Sequence, residues 1–165
     1  MSRKKIRKQG SDFGVGLETH SAKETKKFGR DFVSKLIIDH QPLIIALTGD
    51  LGSGKTTFVQ GLAEGLGIKQ RILSPTFIIM RQYDIPKINH RASTINYFFH
   101  VDLYRLDENV KKEMRNLGTE EIFSDPENII AIEWAEKGRD AIPKDAVWIK
   151  FENLGEDKRK IEVVD

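Results

Sequence analysis

Apolar and polar positions along the chain alternate between strand-like and helix-like patterns. Leu43-Ile44-Ile45-Ala46-Leu47 is an unbroken apolar run, as expected of a parallel strand buried on both faces. Phe58, Val59, Leu62, Ala63 and Leu66 then recur at helical spacing, and Gly67 supplies a C-terminal stop. Upstream, Phe28, Phe32, Val33, Leu36 and Ile37 form a second helical stripe. Ser21-Ala22-Lys23-Glu24 has capping-box spacing and predicts a helix start at Ala22, while Gln41-Pro42 ends that helix. Phe13 to Thr19 predicts a short first strand.

Further along, Pro75 predicts a loop, with a strand starting around Phe77. Arg81 to Thr94 is polar, carries Pro86, Asn89 and Ser93, and predicts an exposed loop between two strands. Tyr97 to Asp102 is an apolar strand ending in a carboxylate, and a charged helix is predicted from about Glu108 to Leu117, stopped by Gly118. Ile129 to Ile132 is another apolar strand, and it runs into Glu133-Trp134. Val147 to Phe151 and Ile161 to Val164 predict two antiparallel strands joined across Asn153-Leu154-Gly155-Glu156-Asp157.

Between the first apolar strand and its helix lies Gly49-Asp50-Leu51-Gly52-Ser53-Gly54-Lys55-Thr56, which fits G-x-x-x-x-G-K-S/T. Each fixed position has a physical role. The glycines allow backbone angles that turn successive N–H groups inward around an anion, and the helix start adds its positive dipole end. Lys55 is placed to reach the β- and γ-phosphates, and the Thr56 hydroxyl to sit on Mg²⁺. Strand, loop and helix in this order predict an α/β fold. It is a three-layer sandwich of the P-loop NTPase kind, with a mostly parallel central sheet and a C-terminal antiparallel hairpin.

In an open parallel sheet ligands bind beyond the carboxyl ends of the strands. Two apolar strands end there in acid, at Asp102 and Glu133. An acid in this position holds Mg²⁺ or orients the attacking water in P-loop enzymes. His100 alternates with Val101 and Asp102 along its strand and reads as a packing or hydrogen-bonding residue rather than a catalytic one. Trp134 is either core or part of a nucleotide pocket. Thr76 follows a proline in a loop, either facing a γ-phosphate as a switch threonine does or serving as a turn hydroxyl.

At 165 residues the chain is long enough for one domain with a substantial core. The expected division is a basic tail over 1–12 and one domain over 13–165. Cysteine is absent, which excludes disulfide and thiolate-metal chemistry. No apolar run approaches the ~20 residues that cross a bilayer, and no h-region follows the basic N-terminus, so a cytoplasmic protein is expected. The net charge of +2 hides an asymmetry. Arg3, Lys4, Lys5, Arg7 and Lys8 are basic, leaving 22 basic and 25 acidic residues elsewhere. That tail is either a solvated arm or an accessory contact to RNA or another polyanion.

The loop Gly49 to Thr57, Ser74-Pro75-Thr76-Phe77, His100-Val101-Asp102-Leu103-Tyr104-Arg105-Leu106 and Glu133-Trp134 occur here in the order seen in TsaE. Over roughly Val15 to Val164 the chain resembles that family, the bacterial ATPases of tRNA threonylcarbamoyladenosine biosynthesis. The resemblance implies a small Mg²⁺-dependent ATPase that binds ATP and engages a TsaD–TsaB complex, meeting tRNA only through that complex. It implies that Gly52, Ser53, Gly54, Lys55, Thr56 and Thr57 hold the phosphates, with Thr56 and Glu133 at the metal. Asp102 and Trp134 would be needed for turnover, and Thr25 and Arg159 would lie near the adenine and ribose. The basic extension and the long Arg81–Thr94 segment depart from the family pattern.

Other readings of the loop are weaker. A small-molecule kinase needs an arginine-rich lid, and Arg81, Arg91, Arg105, Arg115 and Arg139 are scattered. A third reading is a nucleotide-gated binding module with negligible catalysis that uses its basic tail on RNA. A GTPase is disfavoured because no Asn-Lys-x-Asp tetrad occurs.

Overall fold

The computed structural model describes residues 16–36, 43–87 and 94–164. The basic tail, the Phe13 start of the first strand, Ile37, Gln41-Pro42 and Asn89 to Ser93 lie outside the described residues. The strands are β1 (Leu17–Thr19), β2 (Leu43–Thr48), β3 (Met80–Asp84), β4 (Tyr97–Asp102), β5 (Asn128–Glu133), β6 (Val147–Gly155) and β7 (Lys158–Val164). They form one sheet in the order β1-β7-β6-β2-β5-β4-β3. The central strands β6, β2, β5 and β4 are parallel, while β7, β1 and β3 run antiparallel to their neighbours. The expected parallel sheet with a C-terminal antiparallel hairpin is therefore found.

The apolar run of β2 is continuous because both sheet faces are covered. Ile45 and Leu47 join one core with Phe58, Val59 and Leu62, whereas Ile44 and Ala46 join another with Val110 and Met114. Helices α1 (Ala22–Leu36) and α2 (Lys55–Gly65) cover the first face. The short helices α3 (Val110–Asn116) and α4 (Thr119–Ser124), with a 3₁₀ turn over Ala135–Gly138, cover the second. Among the described residues no helix is long and apolar enough to cross a membrane.

On the first face, Phe58 packs its ring against those of Phe28, Phe32 and Phe151, with centroids 5.4 to 5.6 Å apart. Full burial of such a side chain contributes about 1.5–3 kcal/mol. The two helices approach at backbone distance. A Cβ on Gly61 would lie 2.0 Å from the Lys26 carbonyl oxygen.

Several element boundaries differ from expectation. The strand expected from Phe77 begins at Met80, because Pro75 closes a turn whose carbonyl accepts from the N–H groups of Ile78 (3.0 Å) and Ile79 (2.6 Å). Arg81 to Asp84, expected as loop, is an edge strand. It pairs on one side only, so Arg81 and Gln82 stay exposed and the run lacks a buried strand's apolar signature. The charged helix starts at Val110 instead of Glu108, since Asn109 adopts φ 56°. Gly118 stops it as expected, but its left-handed backbone (φ 74°) leads straight into the unanticipated α4. The hairpin strands are longer than expected, with a bulge between Asn153 and Gly155, and the turn shrinks to Glu156-Asp157.

Candidate functional site

At the carboxyl ends of the parallel strands the chain encloses a cleft of about 350 Å³. Its first wall is the glycine-rich loop. Gly49, Gly52 and Gly54 take φ values of 135°, 74° and 101°, the left-handed half of the map that a side chain disfavours. Gly49 is also sterically required, since a Cβ there would lie 2.3 Å from the Phe151 carbonyl oxygen. Helix α2 begins behind Gly54 with no side chain capping it. Its first-turn N–H groups, which have no partner within the helix, thus belong to residues that line the cleft.

Lys55 is buried, and its ammonium donates to the carbonyls of Gly49 (2.5 Å) and Asp50 (2.9 Å) and to Ser53 Oγ (3.4 Å). The same nitrogen lies 4.1 Å from the ring centre of Trp134, a cation–π contact. Burial pushes Lys55 below the ordinary lysine range, while the carboxylates of Glu133, Glu136, Asp102 and Asp50 act in the opposite direction.

The two strand-end acids sit side by side in register, Asp102 opposite Glu133, and they are held differently. Glu133 accepts the Thr56 hydroxyl at 2.9 Å on each of its oxygens. Asp102 accepts from the hydroxyls of Ser74 and Thr76 (the latter at 2.7 Å) on Oδ2, and from the Tyr104 N–H at 2.9 Å on Oδ1. Both acids are buried.

Thr56 with Glu133 makes a donor set suited to Mg²⁺. A hydroxyl and a carboxylate are hard oxygen ligands, and Mg²⁺ sites combine one or two such groups with phosphate oxygens and water. Among the described residues no cluster of three His, Cys, Asp or Glu side chains provides an all-protein cage.

The residues that the sequence assigns to the phosphates, the metal, turnover and the nucleoside come together. Thr25, Gly52, Ser53, Gly54, Lys55, Thr56, Thr57, Thr76, Asp102, Glu133, Trp134 and Arg159 all line this one cleft. Thr25 uses its hydroxyl on Thr19 (2.7 Å) and on the Ser21 carbonyl (3.3 Å). Arg159 donates to the Gly52 carbonyl at 3.1 Å, tying the C-terminal hairpin to the loop. Trp134 settles as both core and pocket. It packs against the second core, lines the cleft, meets the Tyr104 ring at a tilt with centroids 5.0 Å apart and holds φ 58°.

Ser74, Tyr104 and Asp157 also line the cleft, without a role evident from the sequence. Ser74 and Tyr104 sit inside motifs already singled out, two residues from Thr76 and Asp102 respectively. Asp157 lies in a hairpin turn, and no local pattern marks it.

Comparison with known proteins gives a consistent picture. The family model described as "Threonylcarbamoyl adenosine biosynthesis protein TsaE" matches residues 19–161. The chain is 39% identical over 140 residues to a tRNA threonylcarbamoyladenosine biosynthesis protein TsaE of Borreliella burgdorferi, covering 84% of this chain and 92% of that one. A protein of the same description from Treponema pallidum is 32% identical over 145 residues, covering 88% and 96%. Against that of Bacillus subtilis the identity is 35% over 118 residues, which covers 72% of this chain and 66% of the relative. Among solved structures, Bacillus subtilis YdiB superposes with a TM-score of 0.65 at 28% identity, covering 90% of this chain and 83% of that one.

Proposed function

The chain belongs to the TsaE family of threonylcarbamoyladenosine biosynthesis proteins, and on that premise we propose that it is a Mg²⁺-dependent ATPase serving this tRNA modification alongside a TsaD–TsaB complex. The observation that most supports the reading is the convergence of Lys55, Thr56, Asp102 and Glu133 on one cleft behind an uncapped helix start.

The reaction is phosphoryl transfer to water. A water oxygen bonds the γ-phosphorus as the bond to the β,γ-bridging oxygen breaks, leaving ADP and phosphate, with the water's proton passing to phosphate or solvent. Little covalent chemistry falls to the protein, so positioning and charge account for most of the rate. The N–H groups of Gly52 to Thr57 cradle the phosphates, and Lys55 exchanges its loop carbonyls for phosphate oxygens. Thr56 and Glu133 hold the cation, which when bound neutralises charge on the phosphate oxygens. Asp102, oriented by Ser74, Thr76 and the Tyr104 N–H, directs the attacking water. Thr25 and Arg159 border the end of the cleft assigned to adenine and ribose.

Lys55→Ala is expected to abolish ATP turnover, a loss of at least about a hundredfold, in a protein that still folds. An unchanged rate in that variant removes the site assignment. Partnership is tested by co-purification with a TsaD–TsaB pair in ATP and in a non-hydrolysable analogue. Failure to associate under both conditions refutes it.

A further inference from the structure

Among the described residues outside the cleft lining, one buried polar side chain touches a group proposed for the metal. His100 on β4 has no exposed surface, and its Nε2 lies 2.8 Å from Glu133 Oε1. It does not line the cleft. It sits on the sheet face that α1 and α2 cover, because Phe98, two residues earlier on the same strand, belongs to that core. Ala131 lies directly opposite on β5, and Glu133 is the next residue along β5 on that same face. The small Ala131 side chain leaves room for the imidazole to lean diagonally onto Glu133, within the reach of cross-strand neighbours.

The other ring nitrogen fixes the chemistry. Nδ1 is buried and has no hydrogen-bond partner among the described residues. A proton there would be a buried donor without an acceptor, and an unprotonated Nε2 would turn its lone pair toward a carboxylate. A proton on Nε2 alone satisfies Glu133 and leaves only a lone pair unmatched at Nδ1.

We propose that His100 is a positioning residue that holds Glu133 for the cation, through an Nε2–H···Oε1 bond made from beneath the sheet end. Oε1 then carries both the His100 and Thr56 bonds, whereas Oε2 receives only the Thr56 hydroxyl among the described residues. Loss of such an outer partner weakens metal binding about 10- to 100-fold in sites of this kind. The inference rests on the proposed metal role of Thr56 and Glu133.

The test measures Mn²⁺ by electron paramagnetic resonance in the presence of ADP, and ADP alone by calorimetry in EDTA. His100→Leu keeps bulk and removes the donor. It is expected to weaken Mn²⁺ binding at least about tenfold with ADP binding in EDTA unchanged. His100→Gln keeps a donor at similar reach and is expected to restore most of the loss. Wild-type Mn²⁺ affinity in His100→Leu overturns the inference, as do equal losses in the Leu and Gln variants. A parallel fall in metal-free ADP binding overturns it too, since that marks general damage. If His100→Leu does not fold, ¹⁵N-histidine NMR of the unaltered protein decides, because an Nε2 without a proton contradicts the proposal and a protonated Nε2 supports it. Absence of any Mn²⁺ or ADP binding by the unaltered protein fails the proposed function itself, a result distinct from failure of His100 alone.

Discussion

The two walls of the cleft are built by different means. In the phosphate-loop wall every left-handed backbone position falls on a glycine, at Gly49, Gly52 and Gly54, where such angles cost little. Behind it α1 and α2 interlock backbone to backbone through Gly29 and Gly61. The opposite wall is assembled from turns. Trp134, which lines it, and Ile79, at the end of the turn that carries Thr76, are left-handed, a conformation that costs each on the order of 1–2 kcal/mol. It is held by side-chain bonds from Ser74 and Thr76 to Asp102. One wall is a fixed cradle, and the other stores strain beside the residues proposed to direct water.

The sharpest challenge to this contrast is Gly61→Ala. Its Cβ would meet a carbonyl oxygen at 2.0 Å and the Lys26 carbonyl carbon at 2.9 Å, and neither can move without shifting a helix. A loss of about 3 kcal/mol in urea unfolding is expected. A loss below about 1 kcal/mol would mean that the helices slide apart easily and that the first wall is not fixed.

Next in size is Thr76→Val, which keeps shape and removes one donor from Asp102. Turnover is expected to fall about tenfold, or ~1.4 kcal/mol in the barrier, with ADP affinity held within about threefold. Equal losses in both would place Thr76 in nucleotide binding rather than in orienting the acid.

On the turn-built side, Gly138→Ala supplies a matched contrast to Gly61→Ala. Its Cβ would meet Leu103 Cδ1 at 2.8 Å and Met114 Sδ at 3.0 Å, both ends of flexible side chains. These can give way, and alanine also restricts the unfolded chain, so the net loss is expected to stay at about 1 kcal/mol or less. A loss matching that of Gly61→Ala would erase the difference between the two sides.

The same division governs what the sequence disclosed. β2, β4 and β5 were legible because burial on both faces leaves an unbroken apolar run, and the phosphate loop because its glycines are dictated by backbone angles. Edge strand β3 was hidden, since pairing on one side permits Arg81 and Gln82. The turn from Pro75 to Ile79 was hidden for another reason. Nothing in Phe77-Ile78-Ile79 discourages a strand, and it is bent away by the Pro75 carbonyl, shared by two N–H groups, and by the left-handed backbone of Ile79. Asp102 and Glu133 were legible as strand-end acids, but their separate partners were not, because the bonds from Thr56 and Ser74 span 77 and 28 residues. The alternation at His100 points to a packing or hydrogen-bonding residue, and its imidazole hydrogen-bonds Glu133, a partner that no local pattern names.

The smallest effect concerns the residue where the walls meet. Lys55 donates to Gly49 and Asp50 in the first wall and lies against Trp134 in the second. Burial lowers its pKa from the usual 10.5. In the window just below that value the unfolded chain binds more protons than the folded one, so stability rises with pH there, while at lower pH the burial penalty stands in full. Lys160, raised chiefly by its hydrogen bond to Glu162, runs the opposite way, since its contribution is lost as pH rises past its folded value. It is common to the parent and to Lys55→Met, and so drops out of their difference. Urea midpoints from about pH 7 to about pH 9.5 are therefore expected to climb in the parent relative to Lys55→Met. Parallel curves would mean that the ammonium is hydrated, and that Trp134 and the loop do not close over it together.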